Sequence, residues 1–325
     1  MPAALLLPLT AQVALPLGLL AWVAWRRHAS RLGWMLAILL TGAWIVAIRL
    51  VGLWLVVPWQ LPMVYGALLV AAAVRSGSAA RVRPVIPAGW HRLVPVAAAI
   101  ATLAVAALIG GALDGRRIPG VPVDLAPPLR GGTYLVANGG SNSLVSAHVA
   151  TLGDAPRFRR WRGQSYGVDL VRVDASGRRA RGLMPEDPAS YLIFGDTIVA
   201  PCSGRVVAAT DGLRDMPVPV MDREHMAGNH VILECRGSWV LLAHMRRGSV
   251  LARPGDAVTT GEPLGQVGNS GNTGEPHLHV HAQRPGSPGM PLGGEPVPIT
   301  ISRRYLMRGA LAAMPSPSER RGLPR

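Results

Sequence analysis

The sequence predicts an N-terminal α-helical membrane region of about four spans followed by an all-β domain. Three observations carry that expectation. Of the 325 residues 49% are hydrophobic and only 16% charged, against roughly 25% charged in an ordinary soluble domain. The long apolar runs all fall in the first third of the chain. Beyond residue 130 the pattern changes to short β-like segments between glycine-bearing turns, and no long amphipathic helix is offered up to residue 300. Length alone fits about two domains.

Residues 3–25 contain no charge and are followed by Arg26, Arg27, His28 and Arg31. A second run covers 32–57 and is interrupted only by Arg49. The uncharged break at 58–62 leads to a third, short run ending near Val74, and a fourth covers about 93–113. A helix crossing the hydrocarbon needs about 20 apolar residues. The first run carries its arginines after the apolar stretch rather than before it, the reverse of a signal peptide, so it is expected to stay as a span. Seven of the nine tryptophans lie at or before Trp90, many near run ends, as an interfacial belt requires. Trp44 is read instead as packing between helices. Arg49, with no acidic residue in this region to pair with, is expected to snorkel.

Charge sets the orientation. The chain carries 33 basic residues, all arginine, and 18 acidic ones, for a net +15. Eight arginines precede the first acidic residue, Asp114. A basic chain can hold nucleic acid, but half of this excess sits between apolar runs, where cytoplasmic loops collect arginine. Nucleic acid is therefore not an expected partner. The segments 26–31 and 75–92 hold the arginines and the break at 58–62 holds none. The rule places both basic segments in the cytoplasm and everything after residue 115 outside the cytoplasmic membrane.

The expected domains are a transmembrane region at 1–115, a proline-rich linker at 116–130, a β domain at 131–300, and a C-terminal extension ending in a disordered tail at 301–325. The only cysteines, Cys202 and Cys235, lie in separate β-like segments of the outer half. An oxidising compartment permits a bridge between them; two buried apolar thiols are the alternative.

Histidines are the informative polar residues. His277, His279 and His281 alternate along one segment, and strand residues two apart share a face. Imidazoles so spaced suit metal binding or proton transfer. The glycine-rich loop at 268–274 feeds a strand, so it lacks the helix N-terminus of a phosphate cradle. His244 ends another strand. Asp169 sits among apolar neighbours, where a carboxylate must be paired or bound to metal.

In order, the segments SYGVD (165–169), APCSGRVVAATDG (200–212), LAH (242–244) and GNSGNTGEPHLH (268–279) resemble the lysostaphin/LytM-type zinc metallopeptidases. The likeness covers about residues 130–285, and its last motif is the most specific. It implies a small, mostly antiparallel LytM/lysostaphin-like β domain with a groove holding one zinc ion, Asp169 and His279 as zinc ligands, and His244 and His277 flanking the water that attacks a peptide carbonyl. The substrate it implies is the peptide portion of bacterial peptidoglycan.

One departure stands out. The family pattern H-x-x-x-D supplies a third ligand, and this chain has Ser165 at that histidine. A serine hydroxyl is a poor zinc ligand, and a catalytic site needs three protein ligands. His148, His281 and His230 are the candidates to fill the gap. His148 is favoured because the chain before Asp169 can fold back, whereas His281 is expected at the groove rim and His230 at a strand start. Two functions follow: a membrane-anchored zinc endopeptidase acting on the cell wall, or a degenerate module that binds wall peptides or activates a partner cell-wall hydrolase.

Overall fold

The computed structural model describes residues 3–315, which form two compact units divided between Asp114 and Gly115. The first unit contains helices α1 (Ala3–Leu9), α2 (Leu15–Trp25), α3 (Arg31–Val51), α4 (Leu61–Arg81) and α5 (Leu93–Asp114). A π-helical turn, Thr10–Ala14, joins α1 to α2. Four stretches are long and apolar enough to cross a membrane: Leu6–Trp25, Arg31–Val51, Leu61–Arg81 and Gly89–Asp114.

Local chemistry explains where these helices deviate and end. Pro16 has no N–H to offer the carbonyl four residues earlier. That carbonyl, of Gln12, instead accepts from the Tyr65 hydroxyl at 2.9 Å, and the neighbouring Ala11 carbonyl accepts from Trp44 Nε1 at 3.0 Å. Trp44 thus packs between helices, as its sequence position implied. Ser30 caps α3, its hydroxyl accepting from Gly33 N. Arg49 lies in the last turn of α3.

The third run differs from expectation. It does not stop near Val74 but continues as α4 to Arg81. Alanines at 71–73 favour helix, and Ser76 satisfies its hydroxyl within the helix by donating to the Ala72 carbonyl (2.8 Å) while accepting from Trp34 Nε1 (2.9 Å). Arg75 and Arg81 therefore ride on a helix, not in a loop.

The second unit is β-rich. Its strands are β1 (Val123–Leu125), β2 (Gly132–Asn138), β3 (Val168–Val173), β4 (Thr197–Val199), β5 (Gly204–Thr210), β6 (Asn229–Cys235), β7 (Ser238–Met245), β8 (Ala257–Val258), β9 (Pro263–Gln266), β10 (Leu278–Gln283), β11 (Pro296–Val297), β12 (Ile299–Ile301) and β13 (Leu311–Met314). Among the described residues one large antiparallel sheet runs β13-β2-β3-β10-β7-β6-β5-β8, with β11 on β10. Strands β4 and β9 pair separately, and β1 pairs in parallel with β12. Alternation divides the central strands. Val168, Leu170, Leu278, Val280, Val240 and Leu242 enter the main core, while Asp169, His279 and Leu241 take the opposite face.

Two sequence-based boundaries change. The proline-rich segment 116–130 is not a free linker, because β1 pairs within it and Leu125 and Leu129 are buried in the core. At the other end Met314 is no part of a loose tail: it is buried in β13, which pairs with β2. Both segments contribute apolar side chains that an edge of the core requires. The rest of the expected tail, 316–325, lies outside the described residues. Cys202 and Cys235 form a disulfide with Cα atoms 6.0 Å apart, which decides between the two readings of the cysteines.

Candidate metal centre

Strand register builds the site. Across β3 and β10, Asp169 is paired directly opposite His279, and Asn138 of β2 opposes Asp169 from the other side. Directly opposed residues share a face, so His279 Nδ1 reaches Asp169 Oδ1 at 2.8 Å, and Asn138 Nδ2 donates to Oδ2 at 2.8 Å. Gly167, at the entry to β3, makes room: a Cβ there would stand 2.6 Å from His279 Cε1.

His148 completes the cluster. It lies on a 3-10 segment, Ala147–Leu152, and its Nε2 is 2.9 Å from Asp169 Oδ2. His148, Asp169 and His279 bring one ligand atom each within 4.8 Å of one another. Two imidazoles and a carboxylate are a donor set that divalent zinc accepts, so the residues fit the metal that the sequence resemblance implies. Ser165 does a different job. It is fully buried; its hydroxyl donates to the Arg162 carbonyl at 2.6 Å and lies 2.8 Å from Thr151 Oγ1, which donates to the His148 carbonyl at 2.7 Å. The serine therefore ties the second 3-10 segment, Pro156–Tyr166, to the one that carries His148.

Alternation alone would send His244 to the core side with Leu242. Its φ of 61° breaks the alternation, a left-handed conformation uncommon for a non-glycine residue. The ring then faces His277, with centroids 4.7 Å apart, and His279, at 6.0 Å. His244 Nδ1 donates to the Ser270 carbonyl (2.9 Å), and His277 Nδ1 to the Glu275 carbonyl (2.9 Å). Because a carbonyl can only accept, both rings carry their proton on Nδ1 and keep Nε2 for the site. His277 Nε2 is 3.6 Å from Asp169 Oδ1.

The glycine-rich loop is a positioning element. Ser270 Oγ donates to the Met245 carbonyl and Asn269 Nδ2 to that of Met216. The buried Arg179 grips Glu275 with two bonds of 2.7 and 2.6 Å, a fork-to-carboxylate pairing that fixes the backbone just before His277. Nothing in the sequence around Arg179 signals this, since its partner is 96 residues away.

One expectation needs correction, and His230 stands at a strand start as expected. His281 is not at the groove rim but fully buried, with Nδ1 2.9 Å from His279 Nε2 and Nε2 3.3 Å from Gln283 Oε1. The row His279–His281–Gln283 is a consequence of period two on one strand. His230 is the second residue of β6 and its Nδ1 donates to the Gly228 carbonyl at 2.7 Å; it is not among the clustered metal-ligand atoms.

Electrostatics follow from burial. Desolvation pushes the Asp169 carboxyl up, but the charges of His148 and His277 and the hydrogen bonds from His148 and His279 outweigh it, and the group is held well below the usual carboxylate range. Burial lowers His279 to about 4 and holds His244 and His281 well below an ordinary imidazole.

Residues 192–291 match the model of peptidase family M23. The chain is 30% identical over 117 residues to the peptidoglycan DD-endopeptidase ShyA of Vibrio cholerae, covering 36% of this chain and 26% of that protein. It thus spans about a quarter of the length of that curated relative. Among solved structures, a zinc-containing peptidase from Vibrio cholerae overlaps 36% of this chain and 26% of its own at 18% identity and a TM-score of 0.24. The catalytic domain of lysostaphin from Staphylococcus simulans overlaps 38% and 71% at 21% identity and a TM-score of 0.25. Residues 192–291 of the β unit are thus similar to peptidase family M23, and the unit is preceded by four helices long enough and apolar enough to span a membrane.

Proposed function

We propose that the β domain is a zinc metalloendopeptidase that hydrolyses peptide bonds of bacterial peptidoglycan, anchored in the cytoplasmic membrane by the four N-terminal helices with the β domain outside. The observation that carries this reading is His148, which stands against Asp169 and beside His279 and gives a chain with Ser165 a third donor. In this reading the domains are the membrane region before Gly115 and the peptidase unit after it.

Asp169, His148 and His279 would hold the zinc ion, which when bound supplies Lewis acidity toward a water and the scissile carbonyl. His281 and Gln283 keep His279 in register: with a metal bound, His279 Nε2–H would donate to His281 Nδ1 and leave His279 Nδ1 unprotonated toward the ion. His244 and His277, each with its proton fixed on Nδ1, present Nε2 as a proton acceptor. Either nitrogen takes a proton from the attacking water; once protonated it donates to the tetrahedral oxyanion or to the leaving amine. Beside this centre, Ala227 accepts from His244 N and also lines a cavity of about 380 Å³ with Arg160, Trp161, Arg223 and Met226, which gives a peptide stem somewhere to lie.

The test uses the purified full-length protein, its zinc content after dialysis, and hydrolysis of cell-wall peptides. The parent is expected to hold about one zinc per chain, His279→Ala to lose it, and His277→Ala to keep it while losing turnover by about 100-fold or more. A parent that takes up no zinc and cuts nothing when zinc is supplied overturns the reading in favour of a binding or activating module.

A further inference from the structure

At the end of the helical unit where the basic segments meet, a cavity of about 510 Å³ opens between the C-terminal end of α2, the turn after it, and the last two turns of α4. Arg26, Arg27, Arg75 and Arg83 line it, together with Trp25 and His28. Orientation by positive charge requires arginines somewhere on these segments; it does not require four of them to converge on one concavity. No acidic residue occurs before Asp114, the last residue of α5, so none of the segments that line the cavity supplies a carboxylate to neutralise them.

His28 is the second observation. It is only 7% exposed, lines the same cavity, and its Nε2 is buried without a hydrogen-bond partner. An orphaned buried nitrogen costs free energy unless something binds it. A third observation bears on the kind of ligand. Val70 and Val74, 65% and 76% exposed, precede Arg75 along α4, and the Arg75 guanidinium lies 5.9 Å from the ring centroid of the exposed Trp25. Apolar surface continues from the charged cavity along the direction a lipid tail takes, with an aromatic at the boundary, as at a membrane interface.

We propose that this cavity binds the phosphate headgroup of an anionic membrane lipid, with Arg26, Arg27, Arg75, Arg83 and His28 around the phosphate and an acyl chain along Val70 and Val74. Guanidinium pairs bind phosphate oxygens through charge-assisted hydrogen bonds, and basic pockets between spans suit such headgroups. The site is separate from the metal centre and does not depend on whether the β domain cleaves anything.

Lipid retention by the full-length protein, measured by native mass spectrometry after exchange into micelles doped with phosphatidylglycerol or phosphatidylcholine, tests the proposal. The parent is expected to retain phosphatidylglycerol over phosphatidylcholine. R26Q/R75Q should lose about tenfold of that retention, while R81Q/R92Q, which removes the same charge from the same end outside the cavity, should lose less than about twofold. R26K/R75K keeps the charge and should retain most of the binding, and His28→Ala, which leaves every arginine in place, should weaken it measurably. Equal losses in R26Q/R75Q and R81Q/R92Q mean surface charge alone and overturn the proposal, as does equal retention of both lipids. Complete displacement by inorganic phosphate means a free-anion site and overturns the lipid assignment.

Discussion

Asp169 is the residue on which the centre turns, because its two oxygens face different partners. Oδ1 meets His279 and Oδ2 meets His148 and Asn138. Asn138 is itself held, its Oδ1 accepting from Arg308 Nη2 at 2.7 Å and from Ala147 N at 3.2 Å. The carboxylate is thereby oriented from behind, as metal ligands usually are. His281 plays the corresponding part for His279. His281→Ala is expected to weaken zinc binding by about 10- to 100-fold, measured by competition with a chelator. His281→Gln, which keeps an acceptor facing His279, should recover part of the loss; identical affinity in the parent and both variants would remove His281 from the metal site's support. Acidity gives a second prediction. His279 titrates near 4 in the fold against 6.5 when unfolded, and His244, His281 and His230 are shifted in the same direction. Between those values the unfolded chain binds more protons, so stability is fully present above about 6.5 and is lost as pH falls toward 4; Asp169 adds a further loss below its unfolded value of 3.8. For His279 alone this amounts to about 3 kcal/mol. The denaturant midpoint of the metal-free protein should drop steadily from pH 7 to pH 5, and a flat profile would contradict the burial of neutral imidazoles.

At the scale of elements, the site is assembled from strands that are distant in sequence and from two short 3-10 segments. β3, β10 and β7 set the register of Asp169, His279 and Ala243. The 3-10 segments add His148 and cover the His281–Gln283 row, with Gly163 packed so closely against Gln283 that a Cβ would collide with its amide oxygen. The disulfide joins the stretch before β5 to the end of β6, spanning 33 residues, in the outer half of the same sheet. A loop of that length contributes about 4 kcal/mol in the chain-entropy treatment. Replacing both cysteines by serine is expected to lower the unfolding free energy of the β unit by about 2–4 kcal/mol without changing zinc content, read by denaturant unfolding and metal analysis. A loss of zinc in the folded variant would show that the bridge holds the metal centre as well.

At the scale of the whole molecule, the two units obey different physics. The helical unit leaves large apolar side chains exposed along its length, among them Leu39, Val70, Leu103 and Ile100, the opposite of a water-facing surface. The β unit buries its apolar residues in a core and carries both cysteines as a disulfide, which suits an oxidising compartment. Residues 116–315 are accordingly expected on the far side of the cytoplasmic membrane from the basic segments. A phosphatase-type reporter joined after Arg325 should be active and a cytoplasm-dependent fluorescent reporter dark; the reverse pattern would invert the topology and remove the cell wall as substrate.

The sequence by itself determined the order of the two parts, the four apolar stretches and the β character of the second part, because periodicity and charge are local signals; Asp169 and His279 were singled out together only through the motifs that resemble the LytM-type peptidases. His148 was legible only as a candidate from the gap that Ser165 left. What tertiary structure decided depends on contacts between residues far apart in the chain: which of three histidines meets Asp169, the burial of His281 behind His279, the left-handed turn that brings His244 to the metal face, the grip of Arg179 on Glu275, and the disulfide. It also drew the proline-rich stretch and β13 into the β unit, since an exposed sheet edge and an open core can be closed only by segments that the fold brings back to them.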